Sequence, residues 1–89
     1  MYQLVYYIKR TEGLTSKEQE FERYEKDVVF RLRRNAIHYI SEILKQDYIA
    51  EGFAAEPRVG GIYLYKSERT AQGDREITEI IIKAEKVGR

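Results

Sequence analysis

Residues 15–46 read TSKEQEFERYEKDVVFRLRRNAIHYISEILKQ, and the fold follows from how this run is taken. Phe21, Tyr24, Val28, Leu32, Ala36, Tyr39 and Ile43 recur at steps of three and four. That spacing makes one stripe on a helix of 3.6 residues per turn. Thr15 followed by Glu18 fits a capping box, in which each side chain takes an unpaired backbone N–H of the first turn. Glu20, Arg23, Asp27, Arg31, Arg34, His38, Glu42 and Lys45 share the opposite arc. Glu22–Lys26 and Asp27–Arg31 are acid-before-base pairs at i,i+4, each adding roughly 0.2–0.5 kcal/mol to a helix. The expectation is one long amphipathic helix from Thr15 to about Gln46.

A second apolar row lies beside the first. Phe30, Ile37 and Leu44 sit seven apart, Tyr48 falls on the same side, and Val29 and Ile40 bridge the rows. Together they exceed the stripe of about 100° that a surface helix needs. A small sheet covers one side of a helix, so the second row calls for another cover. The expected cover is a second copy of the chain, through helix-to-helix contact at Phe30, Ile37, Leu44 and Tyr48. The rival cover is the chain's own C-terminal loop.

Outward from the helix, Tyr2 to Lys9 reads as a strand, with Tyr2, Leu4, Tyr6 and Ile8 on one face. Both faces are largely apolar or aromatic, which suits a central strand. Arg10 to Leu14 is a turn, with Gly13 in it. The helical stripe fails at Tyr48–Ile49, and Gly52 suits a left-handed cap. Asp47 to Arg58 is open between a short strand, a hook and a helix tail. Gly60–Gly61 marks a turn. Ile62 to Lys66 is a strand, Thr70 to Asp74 a hairpin loop, and Glu76 to Ala84 a β-branched strand. The predicted order is β-α-(β)-β-β in one α+β domain over residues 1–89. It is a two-layer sandwich, with the long helix packed on a small, mainly antiparallel sheet.

Composition narrows the function. The 89 residues are 43% hydrophobic and 35% charged, with a net charge of +1. That is globular, and it supplies no global field for a polyanion or an anionic membrane. Without cysteine there is no disulfide or thiolate metal site. No apolar run approaches the ~20 residues of a membrane span, and no signal-peptide pattern opens the chain, so a cytoplasmic protein is expected. The one histidine, His38, stands on the charged arc without a partner motif. Neither metal-ligand spacing nor a phosphate-binding glycine loop is present, so no catalytic residue, metal or cofactor is assigned.

Three functions remain. The first is a small, non-enzymatic regulatory module that associates with itself, as a dimer, or with another protein. The second is a nucleic-acid binder, with Tyr7, Tyr63 and Tyr65 stacking on bases from the outer sheet face. Lys9 and Lys83 at that face would meet phosphates, and the helix would add Arg31, Arg33 and Arg34. The third is a small-molecule binder or enzyme with a tyrosine-lined pocket between sheet and helix. Leu4-Val5-Tyr6-Tyr7-Ile8-Lys9-Arg10, then Gly13-Leu14-Thr15, Glu18, Phe21 and Tyr24, resembles the opening strand–turn–helix of some dimeric α/β-barrel proteins. In that family two protomers pair sheets into a barrel, and some members are cofactor-free monooxygenases. The likeness covers about a quarter of the chain. The family repeats β-α-β, whereas no second amphipathic helix follows Gly52 here, so no active-site residue is carried over.

Overall fold

The computed structural model describes residues 1–12 and 20–88. Five strands carry most of the described residues: β1 Tyr2–Glu12, β2 Glu22–Phe30, β3 Ala54–Arg58, β4 Gly61–Arg69 and β5 Arg75–Lys86. Between β2 and β3 runs one helix over residues 33–50. It comprises α1 Arg33–His38, a π-helical stretch Tyr39–Leu44 and α2 Lys45–Ala50. The strands form one sheet in the order β2-β1-β5-β4-β3, and every neighbouring pair is antiparallel.

This overturns the predicted long helix on a small sheet. The sheet is the main body, and the helix is short, at 18 residues. Glu22–Phe30, read from sequence as helix, is a strand whose Tyr24 lies opposite Tyr6 of β1. Val28-Val29-Phe30 supplies the β-branched and aromatic run that favours a pleated strand. The capping box of Thr15 and Glu18, and the turn at Gly13, lie outside the described residues. The resemblance to the dimeric α/β-barrel opening also falls, because a second strand stands where that opening has a helix.

The predicted seam is largely exposed. Tyr24 (43%), Val28 (38%), Leu32 (42%) and Ile43 (48%) face solvent, and of that stripe only Ala36 is fully buried. The packed row is Ala36, Ile40, Leu44 and Tyr48, a stride of four throughout. On an α-helix that stride drifts by about 40° per step. The π-helical turns, bonded i→i+5, wind more slowly and hold the row on the sheet. Of the four residues expected at a contact between copies, Phe30, Leu44 and Tyr48 pack against the core of their own chain and Ile37 is half-buried; the Phe30 ring meets that of Tyr39 at 5.4 Å, tilted by 44°.

The helix starts without a side-chain cap. The N–H groups of Asn35 and Ala36 donate to the Leu32 carbonyl at 3.1 and 3.3 Å. It ends on Gly52, whose φ of 95° only glycine adopts freely. Phe53 N–H donates to Tyr48 O and Gly52 N–H to Ile49 O, both at 3.0 Å, which is a Schellman ending. Tyr48 and Phe53 complete it with an edge-to-face contact at 5.2 Å.

The core sits between the helix and one sheet face. Leu4, Tyr6, Ile62, Leu64, Ile80 and Ile82 meet Ala36 and Ile40 there. Each fully buried aliphatic contributes about 1.5–3 kcal/mol relative to exposure. The Thr70–Asp74 loop closes β4 to β5, with Thr70 N–H donating to Asp74 O at 2.7 Å. No helix among the described residues is long and apolar enough to cross a membrane.

Candidate functional site

Alternation along the strands sends a second set of side chains to the face opposite the helix. The registers place Val5, Tyr7 and Lys9 of β1 beside Lys83, Ile81 and Glu79 of β5. On β4, Tyr63 lies opposite Ile81 and Tyr65 opposite Glu79. On β2, Glu25 lies opposite Val5 and Arg23 opposite Tyr7. On β3, Glu56 lies opposite Tyr63 and Arg58 opposite Gly61. Among the described residues no second layer lies over this face. Antiparallel sheets commonly leave one face to solvent, but that face is then polar. Here Tyr7, Tyr63, Ile77 and Ile81 are half-buried by their neighbours, and Tyr65 is exposed. Val5, between Glu25 and Lys83, is fully buried even on this side.

Polar groups tie the rings down. The Tyr7 hydroxyl donates to Glu85, and Arg23 reaches the same carboxylate at 3.1 Å. The Tyr63 hydroxyl donates to Glu79 at 2.7 Å, and Lys9 pairs with Glu79 at 3.2 Å. Lys83 lies over the Tyr7 ring at 5.6 Å, and Arg58 over the Tyr63 ring at 4.9 Å. Exposed pairs of this kind contribute little to stability. Their larger effect is to order the rings.

The tyrosines register this environment. The Tyr63 phenol is pushed up to about 12, first by burial and then by its bond to Glu79. The Tyr7 phenol is raised chiefly by its bond to Glu85, and the Glu85 carboxyl is correspondingly lowered. Under the helix, burial raises Tyr6 further, with Tyr48 and Tyr39 beside it. A phenol raised in the folded state favours the fold fully below its unfolded value near 10.0. That contribution is lost as pH rises through the folded value. Phenolate absorbance should therefore go on rising well above pH 10, and its late part should coincide with unfolding. A single step near pH 10 with the fold intact would contradict the burial of Tyr6 and Tyr63.

Of the residues read from sequence as a nucleic-acid surface, Tyr7, Lys9, Tyr63, Tyr65 and Lys83 do share one face. Arg31 and Arg34 do not join them. Arg31 sits in the bend before the helix and Arg34 on α1, in the layer across the sheet. The residues missed from sequence are Phe21, whose ring lies under Lys9 at 4.9 Å, Arg23, Arg58, Ile81, Glu79 and Glu85. The signal for the last three was strict alternation along β5, from Ile77 through Glu79, Ile81 and Lys83 to Glu85.

His38 is exposed on the helix. No group of three or more metal-ligating side chains occurs among the described residues. A cleft of about 370 Å³ opens beside the helix end, lined in part by Arg10, Tyr48, Phe53 and Lys66. Lys66 spends its charge locally, donating to Glu51 O at 2.6 Å and pairing with Glu68 at 2.8 Å. No family model, curated protein or solved structure matches the chain.

Proposed function

We propose that this chain is a self-associating protein-interaction module whose working surface is the open face of the sheet. One observation carries the reading. The face combines half-buried aromatic and aliphatic residues with a balanced set of charges over its central part. Lys9, Arg23, Arg58 and Lys83 stand among Glu25, Glu56, Glu79 and Glu85. Tyrosine and arginine over an apolar floor are what protein interfaces favour. A surface with both signs interspersed suits a second copy of itself, since an isologous contact needs self-complementarity.

The same balance disfavours a polyanion. A phosphate approaching Tyr7 or Tyr63 meets the Glu85 or Glu79 carboxylate bound to that ring. The basic groups nearest the rings are already paired or stacked. Phe30, Leu44 and Tyr48 contribute by holding the helix to the sheet, so the interaction surface is assigned to the other side.

The test is sedimentation of the chain with and without Ile81→Glu, which puts a charge into the middle of the open face. The unmodified chain is expected to sediment above the mass of one chain. Ile81→Glu is expected to lower that mass with its circular dichroism unchanged. A single-chain mass throughout, or a mass indifferent to Ile81→Glu, would overturn the reading. Labelled single-stranded DNA in low salt is expected to stay free, because phosphate attraction is strongest there. Binding under those conditions would transfer the face to nucleic acid.

A further inference from the structure

The two edges of the sheet are built differently. β3 is five residues long and carries Pro57, which has no N–H to offer a neighbour. Short, proline-bearing edges resist pairing with other chains. β2 is nine residues long, contains neither proline nor glycine, and among the described residues is paired on one side only, with β1. Its register on β1 is regular from Glu22 to Glu25, and the bulge comes only after that. The regular half is therefore Glu22–Glu25; Lys26, the first residue of the bulge, still keeps to the helix side with its Nζ 4.9 Å over the Tyr6 ring, and with it the edge segment reads Glu22-Arg23-Tyr24-Glu25-Lys26.

This pentapeptide is complementary to itself in antiparallel order. About a two-fold axis at Tyr24, Glu22 lies opposite Lys26 of a second copy and Arg23 opposite its Glu25. Tyr24, with an exposed ring, lies opposite Tyr24. Both sheet faces are satisfied together, Arg23 and Glu25 on the open face and Glu22 and Lys26 on the helix side. Opposite charges directly across a strand pair stabilise it, and like charges oppose it. The neighbouring registers that keep each face on its own side set Arg23 against Arg23, or Glu25 against Glu25. A shift by one residue instead turns every side chain to the wrong face.

We infer that β2 is a homotypic pairing edge, at which a second copy of this chain adds its own β2 antiparallel about Tyr24 and continues the sheet. This builds on the self-association proposed above but uses a different surface. Main-chain hydrogen bonds supply the attraction, and the charge order sets the register.

The experiment separates the two surfaces by working in the Ile81→Glu background, where the face contact is removed. Sedimentation over a range of concentrations is expected to show a remaining dimer. Adding Glu22→Lys places lysine opposite Lys26 twice, once per symmetry-related pair, and should weaken that dimer by about tenfold. Adding Lys26→Glu to this variant reverses the pair and should restore the dimer. Three results would overturn the edge: one-chain mass at all concentrations, indifference to Glu22→Lys, or no recovery in the exchanged variant. None of them touches the open-face reading, which is judged on Ile81→Glu alone. Should Ile81→Glu fail to fold, the same charge series in the unmodified chain reads the edge directly, with circular dichroism as the control.

Discussion

Gly61→Ala is expected to cost the fold more than about 3 kcal/mol, beyond the usual range for overpacking. Gly61 opens β4 opposite Lys83 and is buried. A Cβ there would lie 1.9 Å from the Ile82 carbonyl oxygen, 2.9 Å from its carbon and 3.1 Å from Lys83 Cα. All three are backbone atoms of the central strand β5, so no side chain can rotate away. The strand pair itself must part. A domain of this size holds roughly 5–15 kcal/mol in total, so the loss is a large share. Gly73→Ala is the matched control. Gly73 has φ +85° with nothing within 4 Å of the added atom, so only the left-handed penalty of about 1–2 kcal/mol applies. Urea unfolding of the two variants checks the contrast. Equal midpoints would show that β4 does not approach β5 so closely.

The second large effect is expected at Ile40. Ile40→Ala should cost about 2–5 kcal/mol, the range for emptying a filled core site. Ile40 is fully buried in the π-helical stretch and packs in one cluster with Leu4, Leu64 and Ile82. Ile43→Ala, one turn on and half exposed, should stay within about 0.5 kcal/mol. A regular helix with the 3.6-residue seam reverses this order, because Ile43 lies on that seam. Thermal unfolding of the pair therefore decides which row faces the sheet. A larger loss at Ile43 would sink the assignment.

These two sites mark where the sequence could be read and where it could not. The first strand as far as Lys9, the inward faces of Leu4, Tyr6, Ile62 and Leu64, the Thr70–Asp74 hairpin and the glycine ending at Gly52 were all legible, whereas Arg10 to Glu12, read as turn, continue the strand. Each rests on local chemistry: alternation, a turn sequence, or a residue that tolerates positive φ. The segment Glu22–Phe30 was not legible as a strand, for a definite reason. A separation of four is compatible with one face of a helix and, being even, with one face of a strand. Glu22 and Lys26 satisfy both. The β-branched end at Val28-Val29 favoured the strand, but the stripe continuing through Ala36 and Tyr39 outweighed it. The π-helical turns were equally hidden, since a stride of four over Ala36, Ile40, Leu44 and Tyr48 shows only once the helix is known to begin at Arg33.

The candidate surface was half legible. Tyr7, Tyr63 and Tyr65 follow from alternation within their own strands. Their partners Glu79, Glu85 and Arg23 depend on which strands are neighbours, and no local pattern states that β5 lies between β1 and β4.

That central position of β5 governs how the molecule can be made. Its register with β1 runs from Tyr2 opposite Lys86 to Glu12 opposite Glu76. As the polypeptide emerges from the ribosome, β1 appears before β5, with the hydrogen-bonding edge that β5 will occupy unmatched. Nothing that follows can fill that gap until β5 arrives, because β3 and β4 reach the first two strands only through it. Assembly therefore has to wait for β5, and a ribosome stalled before β5 would hold an open, adhesive half-sheet.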